Sequence, residues 1–291
     1  MTREHQVSVD GRTLAVADAG NESGPAVVVN HGTPGSRLLW RELIEDAEAR
    51  GMRLIGYDRP GYGGSDPQPG RTAADAAGDV GAIADALGIE KLAVEGGSGG
   101  GPHALACAAL LPDRVVAVAS LAGVAPYPAE GLDWLDGLGQ DNLDEFAATL
   151  AGREALERYL GKKVSEMLTA EPKAIAEALL SLLSPPDRAV LTGELAEYFH
   201  EATRVGVEEQ LDGWIDDDFV FVNPWGYRLE DIRVPVQLWH GAHDRFVPIA
   251  HGRWLAERIP GVDAHLTDED GHLTIQLRRI GEVHAWLLEH F

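Results

Sequence analysis

Ser98 stands at the centre of Gly96-Gly97-Ser98-Gly99-Gly100, a G-x-S-x-G pentapeptide. An alcohol is a poor nucleophile near neutral pH; it needs a base in contact, and that base needs an orienting partner. Histidine suits the first task because its ordinary pKa lies near neutrality. A buried carboxylate suits the second, since it holds the imidazole in one tautomer and stabilises it once protonated. Two late stretches offer these groups: Asp244 in His240-Gly241-Ala242-His243-Asp244-Arg245-Phe246-Val247-Pro248, and His272 in Asp270-Gly271-His272-Leu273. Asp268 and Asp270 are weaker candidates because they share the histidine's loop. His243 and His265 are the fallback bases.

The attacked carbonyl also needs N–H donors where its oxygen gains charge. Gly99, directly after the serine, supplies one. The loop His31-Gly32-Thr33-Pro34-Gly35 supplies the other; Pro34 and Pro60 have no N–H, and Thr33 is the choice. The remaining reactive residue types read as structural. His31 is tempting as a second base but reads as structural. His240, His243 and Asp244 do not complete a zinc set. Cys107, on the helix after Ser98, reads as a small core residue. Glu95 is out of place, a carboxylate where the strand entering the serine turn should be apolar. Trp225 and Tyr227 either line a pocket or fill core.

These groups lie far apart in sequence, so the fold must bring them together. Gln6–Val9 and Arg12–Val16 flank Asp10-Gly11, a two-residue hairpin signal. Ala26–Asn30, Arg53–Tyr57, Leu92–Val94 and Val115–Ala119 are short apolar runs, as strands buried on both faces require. Helical patterns alternate with them: Leu38 to Arg50, closed by Gly51; a stretch after Thr72 carrying Val80, Ile83 and Leu87; and Pro102 to Leu111 directly after the serine. This βαβα rhythm predicts a mostly parallel sheet covered by helices on both faces. From Pro126 the rhythm changes. Leu143 to Leu160, Val164 to Leu183 and Ala189 to Leu211 read as helices with no strand among them, so residues 126–231 form a helical insertion and residues 1–125 and 232–291 the core. Strands resume at Val236–His240 and Ala264–Leu266, and a helix from Ile275 closes the chain.

The 291 residues carry a net charge of −23, which argues against binding nucleic acid or an anionic membrane. Residues 126–231 hold 23 acidic and 8 basic side chains, read as a solvated acidic surface or a field favouring cationic or neutral substrates. One cysteine excludes an intramolecular disulfide, and neither a leader pattern nor a membrane-length apolar run is seen; the reading is a cytoplasmic protein acting on a small molecule.

The His31-Gly32 loop, Asp58-Arg59-Pro60-Gly61-Tyr62-Gly63-Gly64-Ser65-Asp66, the serine turn, Asp244 and His272 occur in the order found in α/β-hydrolase fold proteins, which the chain resembles over essentially its whole length. The resemblance implies an eight-stranded, mostly parallel sheet, a helical cap after the sixth strand, and no cofactor. The reaction it implies is hydrolysis of a small, largely apolar carboxylic ester through an acyl-enzyme on Ser98. Alternatives share the machinery: acyl transfer, perhydrolysis, carbon–carbon hydrolysis, or the chemistry of proline iminopeptidases. Those enzymes have a similar HGGPG loop, here altered by Thr33, and hold a free amine with acidic cap residues. Ser98 argues against epoxide hydrolases and haloalkane dehalogenases, which place an aspartate at this turn. A ligand-binding receptor on the same fold is the non-enzymatic reading.

Overall fold

The first turn of the chain obeys its sequence closely. Asp10 and Gly11 take φ of 49° and 81°, the left-handed pair that a two-residue hairpin needs, and Val9 pairs with Arg12 across it. The computed structural model describes residues 2–169, 177 and 179–291. The hairpin strands β1 (Arg3–Val9) and β2 (Arg12–Gly20) are followed by β3 (Ala26–Asn30), α1 (Arg41–Ala49), β4 (Arg53–Tyr57), α2 (Asp75–Ala86), β5 (Leu92–Gly97), α3 (Gly101–Leu110) and β6 (Val115–Leu121). Helices α4 (Gln140–Ala151), α5 (Arg153–Thr169), α6 (Pro185–Val190), α7 (Gly193–Val207) and α8 (Asp212–Val222) intervene. The chain ends with β7 (Val236–Gly241), α9 (Ile249–Ala256), β8 (Asp263–Thr267), α10 (His272–Arg278) and α11 (Ile280–Leu288).

The eight strands form one sheet in the order β1-β2-β4-β3-β5-β6-β7-β8. β1 and β2 are antiparallel to their neighbours, and every pair from β4 to β8 is parallel. The expected eight-stranded, mostly parallel sheet is therefore present. Alternate side chains feed two apolar layers. Val28, Ile55 and Val94 pack with α2 and α3, while Val27, Leu54 and Ala93 pack with Leu43 and Ala47 of α1 and Val283 and Leu287 of α11. After β3 the chain steps to one side for β4 and to the other for β5. That reversal leaves a crevice at the carboxyl ends of β3 and β5, where open α/β sheets bind ligands.

Between β6 and β7 the helical expectation holds with altered boundaries. Gly152, at φ 109°, separates α4 from α5 where one helix was expected over 143–160. The helix expected over 164–183 meets α5, which ends at Thr169; residues 170–176 and 178 lie outside the described residues. Helix α8 was not foreseen. Its acidic run Asp216-Asp217-Asp218 interrupts the apolar periodicity, yet all three residues are buried. The closing helix likewise begins at His272, three residues before Ile275, and breaks into two.

Candidate active site

The crevice position of Ser98 follows from its glycines. β5 runs into a single tight helical turn, Ser98–Gly100, and Ser98 adopts φ 54°, a left-handed conformation that non-glycine residues rarely hold. A Cβ at Gly96 would strike Gly100 O and Ala104, and one at Gly100 would strike the carbonyls of Asn30 and His31. The strained turn thus exists because the chain folds back on itself without side chains. Across the crevice, Gly32 is close enough that its Cβ would lie 3.5 Å from Ser98 Cβ.

Asp244 and His272 meet directly. His272 Nδ1 and Asp244 Oδ2 are 2.7 Å apart, with both side chains buried. The loop after β7 holds the carboxylate: Phe246 and Val247 N–H groups donate to Asp244 Oδ1, each at 2.8 Å. The Phe246 ring stacks on the imidazole at 4.5 Å between centroids. His272 is the first residue of α10, and its placement depends on Asp187 of α6. Asp187 accepts the N–H groups of His272, Leu273 and Thr274 at 3.0, 2.9 and 3.0 Å. A carboxylate there satisfies donors that a helix start leaves unpaired. Ser98 and His272 border one cavity, with no direct hydrogen bond between them among the described residues. Such contacts commonly tighten only when substrate is bound.

The loop expected to bind the oxyanion sits on a buried ionic hub. The Thr33 hydroxyl donates to Asp217 Oδ2 at 2.6 Å, and the Thr33 N–H has no protein acceptor among the described residues. Asp217, on α8, also receives Tyr62 Oη at 2.8 Å, Arg71 Nη2 at 2.6 Å, and the Arg59 guanidinium. Arg59 further donates to the carbonyls of His31 and Gly32, and Arg71 donates to His103 Nε2 at 3.3 Å. His103 Nδ1 in turn bonds Gly99 O at 2.8 Å. Burial opposes ionisation of Asp217, but the two guanidinium groups overcome it and hold its carboxyl well below the usual range. Burial, with help from Arg59, pushes His103 down to about 3, so it is neutral. Both ring nitrogens of His31 are held by the protein: Nδ1 bonds Gly32 O at 2.7 Å and Nε2 accepts the Arg59 N–H at 3.2 Å.

Two compartments of unequal size meet at Ser98. Thr33, Pro34, Ser98 and Phe246 border both. The smaller is walled by Trp134, Phe146 and Phe221, but also by Asp141, Glu145, Lys163 and Asp218. Glu145 accepts the Trp214 indole N–H at 2.7 Å, and Lys163 pairs with Asp141 at 3.0 Å. Burial lifts Glu145 to about 6; burial, then the Glu145 charge, drive Asp218 well above its ordinary value. Asp218 Oδ2 is buried without a hydrogen-bond partner. The larger compartment is lined mainly by apolar side chains, among them Leu38, Leu39, Leu191, Tyr198 and Phe199.

The other sequence candidates fall elsewhere. His243 is exposed, and His265 pairs with Asp263 at 2.9 Å and stacks on Trp239. Asp270 pairs with Arg279 at 2.7 Å, and Asp268 is exposed. Cys107 is buried, and burial raises its thiol pKa. Trp225 and Tyr227 stack on each other; Tyr227 Oη donates to Pro102 O at 2.8 Å, and neither residue borders the two compartments. Sequence reasoning missed Asp187, the Asp217 hub and the Glu145–Asp218 pair. The signal for the last two was present: three consecutive acids inside the otherwise apolar Trp214–Val222 had to find partners.

A profile of the alpha/beta hydrolase fold family matches residues 25–174. The chain is 28% identical over 279 residues to a 2-hydroxy-6-oxononadienedioate/2-hydroxy-6-oxononatrienedioate hydrolase of Burkholderia vietnamiensis, covering 90% of this chain and 86% of that one. It is 29% identical over 245 residues to a non-heme chloroperoxidase of Streptomyces lividans, covering 83% and 82%. A thermophilic esterase from Thermogutta terrifontis superposes with a TM-score of 0.70 at 20% identity, covering 99% of this chain and 100% of that one. Among the described residues, no helix is long and apolar enough to cross a membrane.

Proposed function

The chain belongs to the α/β hydrolase fold family and is a hydrolase, and from that premise we propose that Ser98 is its nucleophile, acting on a small, largely apolar carboxylic ester. The observation that carries the reading is the 2.7 Å contact of His272 with Asp244 on the cavity that Ser98 borders. In this mechanism His272 Nε2 takes the Ser98 proton as Oγ attacks the ester carbonyl. Asp244 holds the Nδ1–H tautomer and stabilises the imidazolium. The N–H groups of Thr33 and Gly99 receive the oxyanion. The alcohol leaves with the proton from His272, and a water activated by the same imidazole then cleaves the acyl-enzyme. The helices between β6 and β7 serve as the cap, and their apolar residues in the cavity walls favour an apolar substrate.

The test is covalent labelling by a fluorophosphonate. Wild-type protein should label and turn over p-nitrophenyl esters, and Ser98→Ala should do neither. Undiminished labelling of the variant would overturn the assignment.

One observation favours a second reading on the same triad. Glu145 and Asp218 place carboxyl groups in the wall of the smaller compartment beside Ser98. A substrate bearing a protonated amine, as in aminopeptidase chemistry, would find a partner there. By the same argument a dicarboxylate, the substrate class in the name of the Burkholderia relative, is disfavoured by two carboxyl groups beside a lysine already paired to Asp141. Release of p-nitroaniline from a prolyl anilide, faster than ester hydrolysis, would promote the amine reading. Indifference to the amine would dismiss it.

A further inference from the structure

Glu95 belongs to none of the interactions above. It lies on β5 three residues before the serine, a span of about 10 Å along a strand. Its side chain points to the sheet face packed by α1 and α11, among Val27, Ala93, Leu43, Ile280 and Val283. A lone carboxyl on such a face is unfavourable unless something there hydrogen-bonds to it. Its nearest charged neighbour is His284 of α11, with Nε2 at 3.8 Å from Glu95 Oε2. That exceeds hydrogen-bonding range. Both atoms are buried, and both lack a hydrogen-bond partner among the described residues. His284 is itself held firmly: its Nδ1 is 2.7 Å from Asp46 Oδ2, and Asp46 is paired at 2.7 Å with Arg50. The imidazole is thus fixed in orientation by Asp46, and two unsatisfied polar atoms, one carboxyl and one imidazole, face each other across a 3.8 Å gap without a hydrogen bond between them.

The gap adjoins the substrate cavity. Glu95 keeps 12% of its side chain exposed, and it borders the larger compartment together with Leu39, Gln276 and Ile280. Ser98 and His272 border the same compartment. Among the described residues, Glu95 is the one carboxyl group in a mainly apolar lining whose other polar side chains include Tyr198, Thr203 and Gln276. Ligand sites of this type take specificity from a few placed polar groups in an apolar lining.

We propose that Glu95, backed by His284, is a specificity-determining residue that accepts a hydrogen bond from a hydroxyl or ammonium group on the substrate arm lying in the larger compartment. The proposal rests on Ser98 as nucleophile for its position but not for its existence. The ligand class is an apolar chain ending in a donor, bound with the scissile carbonyl at Ser98 and the donor at Glu95. The amine reading above concerns the opposite compartment and different carboxyl groups.

The probes are p-nitrophenyl 6-hydroxyhexanoate and p-nitrophenyl heptanoate, which match in length and differ in a terminal hydroxyl against a methyl. The ratio of their kcat/KM values is measured in wild type, Glu95→Gln and Glu95→Leu. Glu95→Leu should lower the hydroxy-to-methyl ratio by about tenfold, while Glu95→Gln, which keeps an acceptor, should retain most of it. Turnover of p-nitrophenyl butyrate, too short to reach Glu95, should change little and shows that the variants fold. An unchanged ratio in Glu95→Leu overturns the proposal. Should the wild type hydrolyse no ester, the ester reading fails by itself, and the subsite is read from thermal shifts with methyl 6-hydroxyhexanoate and methyl heptanoate. A greater shift with the hydroxy ester, abolished by Glu95→Leu, supports the subsite; equal shifts refute it.

Discussion

Asp217 and Asp218 are neighbours on α8, equally withdrawn from solvent, and their carboxyl groups are driven in opposite directions. Asp217 faces the core. Burial alone would raise its pKa, but Arg59 and Arg71 reverse that, and Thr33 and Tyr62 add hydrogen bonds. Asp218 faces the smaller compartment, where burial is reinforced by Glu145. Desolvation is common to both, so the charged neighbours decide the sign. One residue joins the inserted helices to the Thr33 loop; the next borders the smaller compartment beside Glu145. The two acids differ in what surrounds them, not in how deeply they are buried.

The largest expected effect breaks the comparison on the arginine side. Asp217→Ala leaves two buried guanidinium groups without their carboxylate, and removing one partner of a buried pair costs roughly 3–5 kcal/mol. Denaturant unfolding should show a loss of that order. Asp218→Asn should leave stability unchanged or slightly raised, because it removes an acid whose ionised form is unfavourable. Equal losses in the two variants would mean that the two environments do not differ as described.

Next in size is the response to pH. A carboxyl with a folded-state pKa above its unfolded value binds more protons in the folded state, so its contribution is complete at low pH and is lost as pH rises. Glu145, raised to about 6 from an ordinary 4.5, therefore withdraws stability between about pH 4.5 and 6, and Asp218 continues the loss in the same direction. Asp217 has the opposite sign: its contribution is present above the unfolded pKa and disappears only in strong acid. The buried neutral histidines, among them His103 at about 3 and His251 at about 4, act with the opposite sign over this range, so the carboxyl contribution is read as a difference: the unfolding free energy of the wild type minus that of Asp218→Asn should fall as pH rises from 4.5 to 6. A difference that rises over this range would contradict the Asp218 shift.

A smaller effect tests whether the Asp217 hub reaches the chemistry. Thr33→Val keeps the backbone N–H but removes the hydroxyl bonded to Asp217, so the loop is less well held. Loss of a whole oxyanion donor costs about 100–1000-fold in turnover; a displaced one should cost about tenfold in kcat with KM little changed. Thr33→Ser should restore most of the rate. A rise in KM alone would assign Thr33 to substrate binding instead.

What could be read from sequence follows the same division. Strands β3, β4, β5 and β6 declare themselves as short apolar runs, and the turn glycines around Ser98 as a chain that must fold back without Cβ atoms. Those are local signals. The pairing of Asp244 with His272 was legible because loop position and residue type together leave few choices. Asp187 was not. It lies on a six-residue helix, caps α10 from 85 residues away, and carries no mark that separates it from the other acids of the insertion. Helix α8 escaped for a related reason: its acids break the helical apolar pattern because the partners of Asp217, Arg59 and Arg71, come from the loops after β4 and before α2, and that of Asp216, Arg153, from α5. Periodicity reports burial of apolar groups, and buried ion pairs made at long range contribute nothing to it.

The smallest expected effect sharpens the cavity side of the comparison. Lys163 pairs with Asp141 and lies near enough to Glu145 to lower its pKa. Lys163→Gln removes that positive charge without opening the wall, since the stem of the side chain is largely kept. Asp141 then loses its partner and becomes the nearer influence, and a like charge disfavours ionisation of Glu145. The pH-dependent step assigned to Glu145 should move upward by less than one unit, with overall stability at pH 7 changed by less than about 1 kcal/mol. Carboxyl titration followed by isotope-edited infrared spectroscopy would read the step directly. A downward movement would mean that Lys163 is turned away from Glu145 in solution, and the cavity would then hold its acids under the influence of burial and each other alone.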